Sequence, residues 1–141
     1  MRLTQDRSLC ETHQKIIVSK DHGTSRTHRA DNTRKRYAVR QYKLDGDIIS
    51  DKKCCDFLLL NDTLKDAYFI ELKGGNVDEA IPQLESGLKE FQAELKEYTY
   101  YFRAIPSKVR THDVRSSKFK RFKDRWGSRL QYKTEFLEEQ L

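Results

Sequence analysis

Two apolar stretches decide the fold of this chain: CCDFLLL at residues 54–60 and AYFIELK at residues 67–73. Both are short and rich in Phe, Tyr, Ile and Leu. Turn-forming residues close each of them, Asn61-Asp62 after the first and Gly74-Gly75 after the second. Stretches of this length and composition are more typical of central β-strands than of helices. We therefore predict two neighbouring strands, each carrying one carboxylate among apolar residues.

The flanking sequence predicts further elements on both sides. Apolar residues at helical spacing indicate a short helix over residues 5–19, and the polar, basic stretch 24–36 indicates a mobile loop. The alternating residues 37–42 predict a strand, and residues 48–49 a short extended piece that can pair back. Residues 99–105 are aromatic and β-prone, and they predict another strand.

The clearest helix follows the second apolar stretch. It is marked by a single apolar stripe over about six turns, with Asn76 as its N-cap and Pro82 near its start. The stripe consists of Val77, Ile81, Leu84, Leu88, Phe91, Leu95 and Tyr98. A last helix, interrupted at Gly127, is predicted from the spacing of Phe119, Phe122, Trp126 and Leu130.

This order of elements predicts an α/β fold with a central mixed β-sheet of about four to five strands flanked by helices. A chain of 141 residues is enough for one domain with one core. No stretch approaches the roughly 18 apolar residues of a membrane span, and the first residues do not resemble a secretory signal. We therefore expect a cytoplasmic protein without a membrane partner, whose three cysteines form no disulfide framework.

The two carboxylates indicate a common site. Side chains alternate along a strand, so Phe69, Glu71 and Lys73 share one face. A carboxylate in an apolar strand costs free energy unless a charged partner compensates it, and Asp56 in the first stretch has the same need. If the strands pair through a short turn, both carboxylates converge at one end of the sheet with Lys73 beside them.

Two carboxylates suit Mg²⁺, which can stabilise a phosphate under attack and lower the pKa of a bound water. Lys73 can hold or deprotonate that water, or neutralise the phosphate.

These residues carry a resemblance. Asp56, fourteen intervening residues and then Glu71-Leu72-Lys73 resemble the PD-(D/E)XK nuclease superfamily, which includes restriction endonucleases and Holliday-junction resolvases. The resemblance implies that Asp56 and Glu71 bind Mg²⁺, with Mn²⁺ expected to substitute, and that Lys73 assists the water. It also implies the Leu72 carbonyl as an extra metal ligand. The order of helix, hairpin, acidic strand, E-x-K strand, long helix and strand is similar as well.

The resemblance covers about residues 9–105. It implies one nuclease-like domain for the whole chain, with a basic C-terminal extension over residues 106–141. Cys55 stands where the superfamily has a proline before the aspartate. Two accessory residues are implied by members of the group: Gln83 on the long helix, with solvent exposure as the alternative, and Glu11 near the start of the chain, which could reach the metal.

Positive charge is gathered into two zones. Residues 103–133 hold eleven Lys or Arg against two acids, and residues 26–43 hold seven against one, whereas residues 76–98 hold six acids against two bases. Such zoning is expected of a surface that meets a polyanion, and a solvated basic face without a partner is the alternative. The predicted phosphate contacts include Arg34, Lys35, Arg36, Lys108, Arg110, Arg115 and Lys118.

The sequence thus predicts a Mg²⁺-dependent endonuclease or exonuclease that acts on DNA. One small domain offers a single active site, so cutting both strands of a duplex favours a homodimer. Two alternatives stay open: a catalytically silent nuclease-like module that binds nucleic acid or a protein, and a nuclease that acts on RNA.

Overall fold

A mixed sheet of five strands is the centre of the molecule, for which a computed structural model describes residues 1–72 and 75–141. Its first three strands are antiparallel neighbours, and the last two add in parallel. Parallel pairing requires a crossover, and the helix between the third and fourth strands supplies it. In spatial order the strands are β3 (Val39–Lys43), β4 (Phe57–Asn61), β5 (Asp66–Glu71), β6 (Thr99–Ala104) and β7 (Leu130–Tyr132). The predicted α/β class and central mixed sheet are confirmed.

Three further strands form a second sheet: β1 (Ile16–Lys20), β2 (Thr27–Asp31) and β8 (Phe136–Gln140). The helix predicted over residues 5–19 is therefore wrong. Only Gln5–Arg7 forms a 3-10 turn in that stretch, and the β-branched run at residues 16–18 favours a strand.

The loop predicted over residues 24–36 is also wrong in its first half. Strand β2 alternates in burial, but its two buried residues are His28 and Ala30 rather than large apolar side chains. Because a histidine and an alanine give no apolar periodicity, the sequence pattern did not reveal this strand. Ala30 lies opposite Ile17 of β1, and His28 opposite Ser19.

The helices cover one face of the central sheet. Helix α1 (Ala80–Phe91) and helix α3 (Ser117–Trp126) pack with Leu58 and Phe69, whereas the second sheet packs Ile17 against the opposite face. The helices predicted to flank the sheet thus lie on one of its faces, because β1, β2 and β8 form the layer on the other.

The long helix is shorter than its apolar stripe. A 3-10 turn at Val77–Glu79 precedes α1, which ends at Phe91, although Leu95 beyond it is still buried. Asn76 precedes the 3-10 turn without a side-chain cap. Pro82 is tolerated because the amides of a first helical turn have no partner within the helix.

The end of the chain contributes to both sheets. Helix α3 follows a four-residue helix, α2 (Thr111–Val114), and stops at Gly127, whose φ of 58° suits glycine. Leu130, predicted to continue the helix, begins β7 instead. The predicted extended piece at residues 48–49 makes one isolated bridge, between Asp45 and Ile49. No helix in the described part of the chain has both the length and the apolar character needed to cross a membrane.

Candidate functional site

Asp56 and Glu71 meet at one end of the central sheet. The β4–β5 register pairs Phe57 with Ile70; Asp56 directly precedes β4 and Glu71 ends β5, so both residues lie at the same end of the sheet. Asp56 is 2% exposed and Glu71 is 1% exposed. Both carboxylates are therefore buried at the same end of the sheet.

Hydrogen bonds fix the Asp56 carboxylate. The backbone amide of Leu72 donates to the side-chain Oδ2 of Asp56 at 2.8 Å. The Leu44 amide donates at 2.8 Å to the backbone carbonyl oxygen of Asp56, which holds the main chain beside it. A buried carboxylate requires such donors because it has left water. Asp56 is thereby tied to β5 on one side and to the end of β3 on the other.

The structure adds two charged residues that sequence reasoning missed. Lys43, at the end of β3, places its Nζ 3.6 Å from Asp56 Oδ1 and 3.6 Å from Asp21 Oδ1. Asp21 follows β1, in the loop before β2. Burial, followed by the nearby Asp56 charge, raises the pKa of Asp21, and Lys43 acts in the opposite direction. No sequence signal pointed to either residue: Asp21 appears in an ordinary turn, and Lys43 lies beyond the predicted strand.

The Leu72 carbonyl, predicted as a metal ligand, already has a polar partner. Arg26, from the same loop as Asp21, donates a hydrogen bond through its Nε to that carbonyl oxygen. A carbonyl has two lone pairs, so one remains for another ligand. Arg26 therefore closes one side of the site.

Lys73, the third residue of the predicted catalytic set, lies outside the described residues together with Gly74. The chain is described again from Gly75, whose amide donates to Ser107 Oγ at 3.2 Å. On the same side, the Ile105 amide donates to the Glu71 carbonyl at 2.8 Å. The start of the C-terminal region therefore borders the site.

The donor chemistry fits a magnesium ion. Mg²⁺ is commonly bound through one or two carboxylates and completes its shell with waters and substrate phosphates; Asp56 and Glu71 are the residues that could hold it here. Within residues 1–72 and 75–141, no group of three or more His, Cys, Asp or Glu side chains is arranged to hold a metal. Cys55, next to Asp56, is also buried, and burial, followed by the neighbouring Cys54 thiol, raises the pKa of its thiol well above the usual value.

The two accessory candidates lie in different settings. Gln83 is half-buried on α1. Glu11 is exposed in a turn, and its backbone amide donates to Gln14 Oε1 at 3.0 Å. Glu11 is thus on no helix, because the expected first helix is absent.

The predicted phosphate contacts divide into two groups. Arg34, Lys35 and Arg36 precede β3, which starts opposite Asn61 at the far end of β4 from Asp56. A five-residue strand spans about 15 Å, so this group is separated from the carboxylates. The other group follows Ile105 on the site's side of the sheet, and all of its members are exposed: Lys108, Arg110, Arg115 and Lys118.

Comparisons of this chain with protein-family models, with curated proteins and with solved structures found no match.

Proposed function

We propose that the protein is a metal-dependent nuclease that hydrolyses phosphodiester bonds in DNA at the Asp56–Glu71 end of the central sheet. The observation that carries the proposal is the burial of both carboxylates at the same end of the β4–β5 pair. Carboxylates that converge at one place are a usual way for a protein to bind magnesium.

Each residue has a distinct role in the proposal. Asp56 and Glu71 hold the ion, and the amide of Leu72 orients the Asp56 carboxylate. When bound, the ion polarises the phosphate and lowers the pKa of a coordinated water. Lys73 assists that water, as the resemblance to the PD-(D/E)XK superfamily implies. The sequence order of acidic strand, E-x-K strand, helix and parallel strand supports this assignment.

Positive charge near the site supports a polyanionic substrate. Lys108 and Arg110 follow the strand that borders Glu71, and Arg26 lies against the Leu72 carbonyl. Phosphate neutralisation by Lys and Arg is the main source of affinity for nucleic acids. Residues 34–36, at the far end of the sheet, can contact the same nucleic acid only if it is long enough to reach them or if a second subunit binds part of it.

Cleavage of circular, linear, single-stranded and branched DNA in Mg²⁺ or Mn²⁺ tests the proposal. Asp56→Asn, Glu71→Gln and Lys73→Ala should each lower the cleavage rate by about a hundredfold or more, since metal and water activation supply several kcal/mol. Asp66→Asn is the matched control, because it removes a carboxylate at the opposite end of β5 and should retain activity.

Metal binding has its own measurement. Mg²⁺ should raise the unfolding temperature of the wild type, because a ligand that binds only the folded state stabilises it, and should not do so for the Asp56→Asn variant. Binding of DNA without cleavage in either metal would contradict the enzyme and favour a silent binding module. Cleavage of RNA but not of DNA would show that the proposed substrate class is wrong and that the enzyme is a ribonuclease.

A further inference from the structure

Helix α3 carries a row of cations along its groove with α1. Lys118, Arg121 and Arg125 line a cavity of about 280 Å³ whose floor is Phe122. Arg125 and Phe122 also line an adjoining cavity of about 240 Å³ that extends along α1 past Lys89. The two cavities form one continuous basic groove, which we call the α1–α3 groove.

The spacing of these cations follows the helix. Positions 118, 121 and 125 lie on one face, and seven residues of α-helix span about 10 Å. Phe119 and Phe122 are buried beneath them and hold the helix against the core. The row is therefore a fixed array rather than a set of charges on a mobile tail. Its length matches about three nucleotides of one strand at 3.4 Å each.

The cations of the groove are not neutralised by the protein. Among residues 1–72 and 75–141, the side chains of Lys118, Arg121 and Arg125 form no hydrogen bond or ion pair. Glu85, on α1, is the acid that lines both cavities, and within the described residues it forms no salt bridge with these three cations. Positive charge therefore exceeds negative charge along the groove.

The last cation of the row is held by an aromatic side chain. The Arg125 guanidinium lies 4.7 Å from the centre of the Trp126 ring, and Arg129 lies 5.1 Å from the same ring. Stacking of this kind orders a guanidinium and leaves its N–H donors available for a phosphate. Because cations occupy the Trp126 ring, we expect backbone contact rather than base stacking at this point.

The groove runs away from the carboxylate end of the sheet. The start of α3 packs through Phe119 on Tyr132, with the ring centres 5.1 Å apart, and Tyr132 pairs with Ala104, the β6 partner of Glu71. Its end packs through Trp126 on Phe102, with the ring centres 4.8 Å apart, in the interior of β6. Lys118 is thus nearest to the site, and Arg125 is farthest from it.

We infer that the α1–α3 groove binds the phosphodiester backbone of a nucleic acid next to the segment held at the Asp56–Glu71 site. The inference rests on the proposed function for the identity of the polyanion. It assigns binding residues, Arg121 and Arg125, that lie beyond the site itself, and it gives the direction in which the nucleic acid leaves that site.

The test measures binding separately from cleavage. Fluorescence anisotropy with labelled 20-nucleotide single-stranded and duplex DNA, and with the matching RNA, is recorded in EDTA so that metal-dependent cleavage does not occur. Arg121→Glu and Arg125→Glu should each weaken binding by about tenfold or more and lower the salt dependence by about one counterion per lost contact. Lys120→Glu is the matched control, because Lys120 is exposed on the same helix and does not line the groove; it should change the affinity by less than about threefold.

The outcomes separate this inference from the proposed enzyme. If the wild type cleaves DNA but Arg121→Glu and Arg125→Glu bind DNA as tightly as the wild type, the groove is not a binding site and the proposed nuclease activity is unaffected. Loss of binding in both variants without cleavage by the wild type would support the groove and contradict the nuclease. Equal binding of polyglutamate or phosphatidylserine vesicles would also overturn the inference. If Arg121→Glu or Arg125→Glu lowers the unfolding temperature, the binding measurement is repeated with Arg121→Gln and Arg125→Gln, which change the charge by half as much.

Discussion

Glu139 links the two sheets and makes the free energy of unfolding depend on pH in the acidic range. Its carboxylate in β8 accepts hydrogen bonds from Arg103 in β6, through Nε at 2.7 Å and the second terminal nitrogen at 2.9 Å. It also accepts one from His28 Nε2 in β2 at 2.6 Å. Arg103 is 3% exposed and lies against the rings of Tyr68 and Tyr101.

The magnitude follows from the pKa of the Glu139 carboxyl. Burial disfavours its charged form, but the hydrogen bonds from His28 and Arg103 more than offset burial and lower the pKa from 4.5 to about 2. A depressed folded-state pKa contributes stability that is present above pH 4.5 and is lost as the pH falls toward 2. The shift corresponds to about 3 kcal/mol in total, of which about 2 kcal/mol is lost by pH 3.

Glu139→Gln tests this reasoning. At pH 7 the variant should lose about 3 kcal/mol of unfolding free energy, because Arg103 stays buried without its counter-ion. The difference from the wild type should shrink to about 1 kcal/mol at pH 3. Urea unfolding followed by the fluorescence of Trp126, the single tryptophan, measures both values.

A neighbouring carboxylate provides the control. Glu138 is exposed and forms a surface ion pair with Arg29, so Glu138→Gln should change stability by about 1 kcal/mol at most. A difference between Glu139→Gln and the wild type that stays constant from pH 7 to pH 3 would refute the assigned role of the hydrogen bonds. Because β2 follows the loop that carries Arg26, the variant should also loosen one side of the candidate site.

Three further substitutions test packing, charge and hydrogen bonding, two of them beside the site and one at the other end of β4. In Gly87→Ala the new Cβ would come within 2.6 Å of Cys55 Sγ. We therefore expect the free energy of unfolding in urea to fall by about 1 kcal/mol, despite the better helix propensity of alanine. Adding Cys55→Ala should restore the stability, and a double variant that stays destabilised would contradict the role of this contact. Lys43→Met removes the ammonium between the two aspartates of the site, and it should lower the unfolding free energy in EDTA by about 1 kcal/mol, whereas Lys43→Arg should not. Tyr98→Phe deletes the 2.6 Å hydrogen bond from the phenol to Asp62 and should cost about 1 kcal/mol; a neutral result in thermal unfolding would show that water replaces it.

Much of the central sheet could be predicted because its strands carry strong local signals. The stretches that became β4 and β5 are apolar throughout, and turn residues close both. The paired carboxylates followed from the same signals: once two short strands are joined by a short turn, their register brings Asp56 and Glu71 together. The roles of these residues in nuclease chemistry stay a prediction.

The second sheet could not be predicted because its cause is not local. Strand β2 buries His28, which is possible only because Glu139, more than a hundred residues later, accepts its hydrogen bond. Strand β8 pairs with β2 in parallel over the same separation. A search for apolar periodicity finds no signal in such strands, since their burial depends on polar partners that the fold supplies.

By itself, the sequence determined the two carboxylate strands, their helix and the zoning of positive charge, because each of these is encoded in residues close together along the chain. Only the tertiary structure decided which charges surround the carboxylates. It brought Asp21, Arg26 and Lys43 to that end of the sheet and left residues 34–36 at the other end. The physical reason is that strand direction and sheet pairing, rather than distance along the chain, determine which ends of the strands meet.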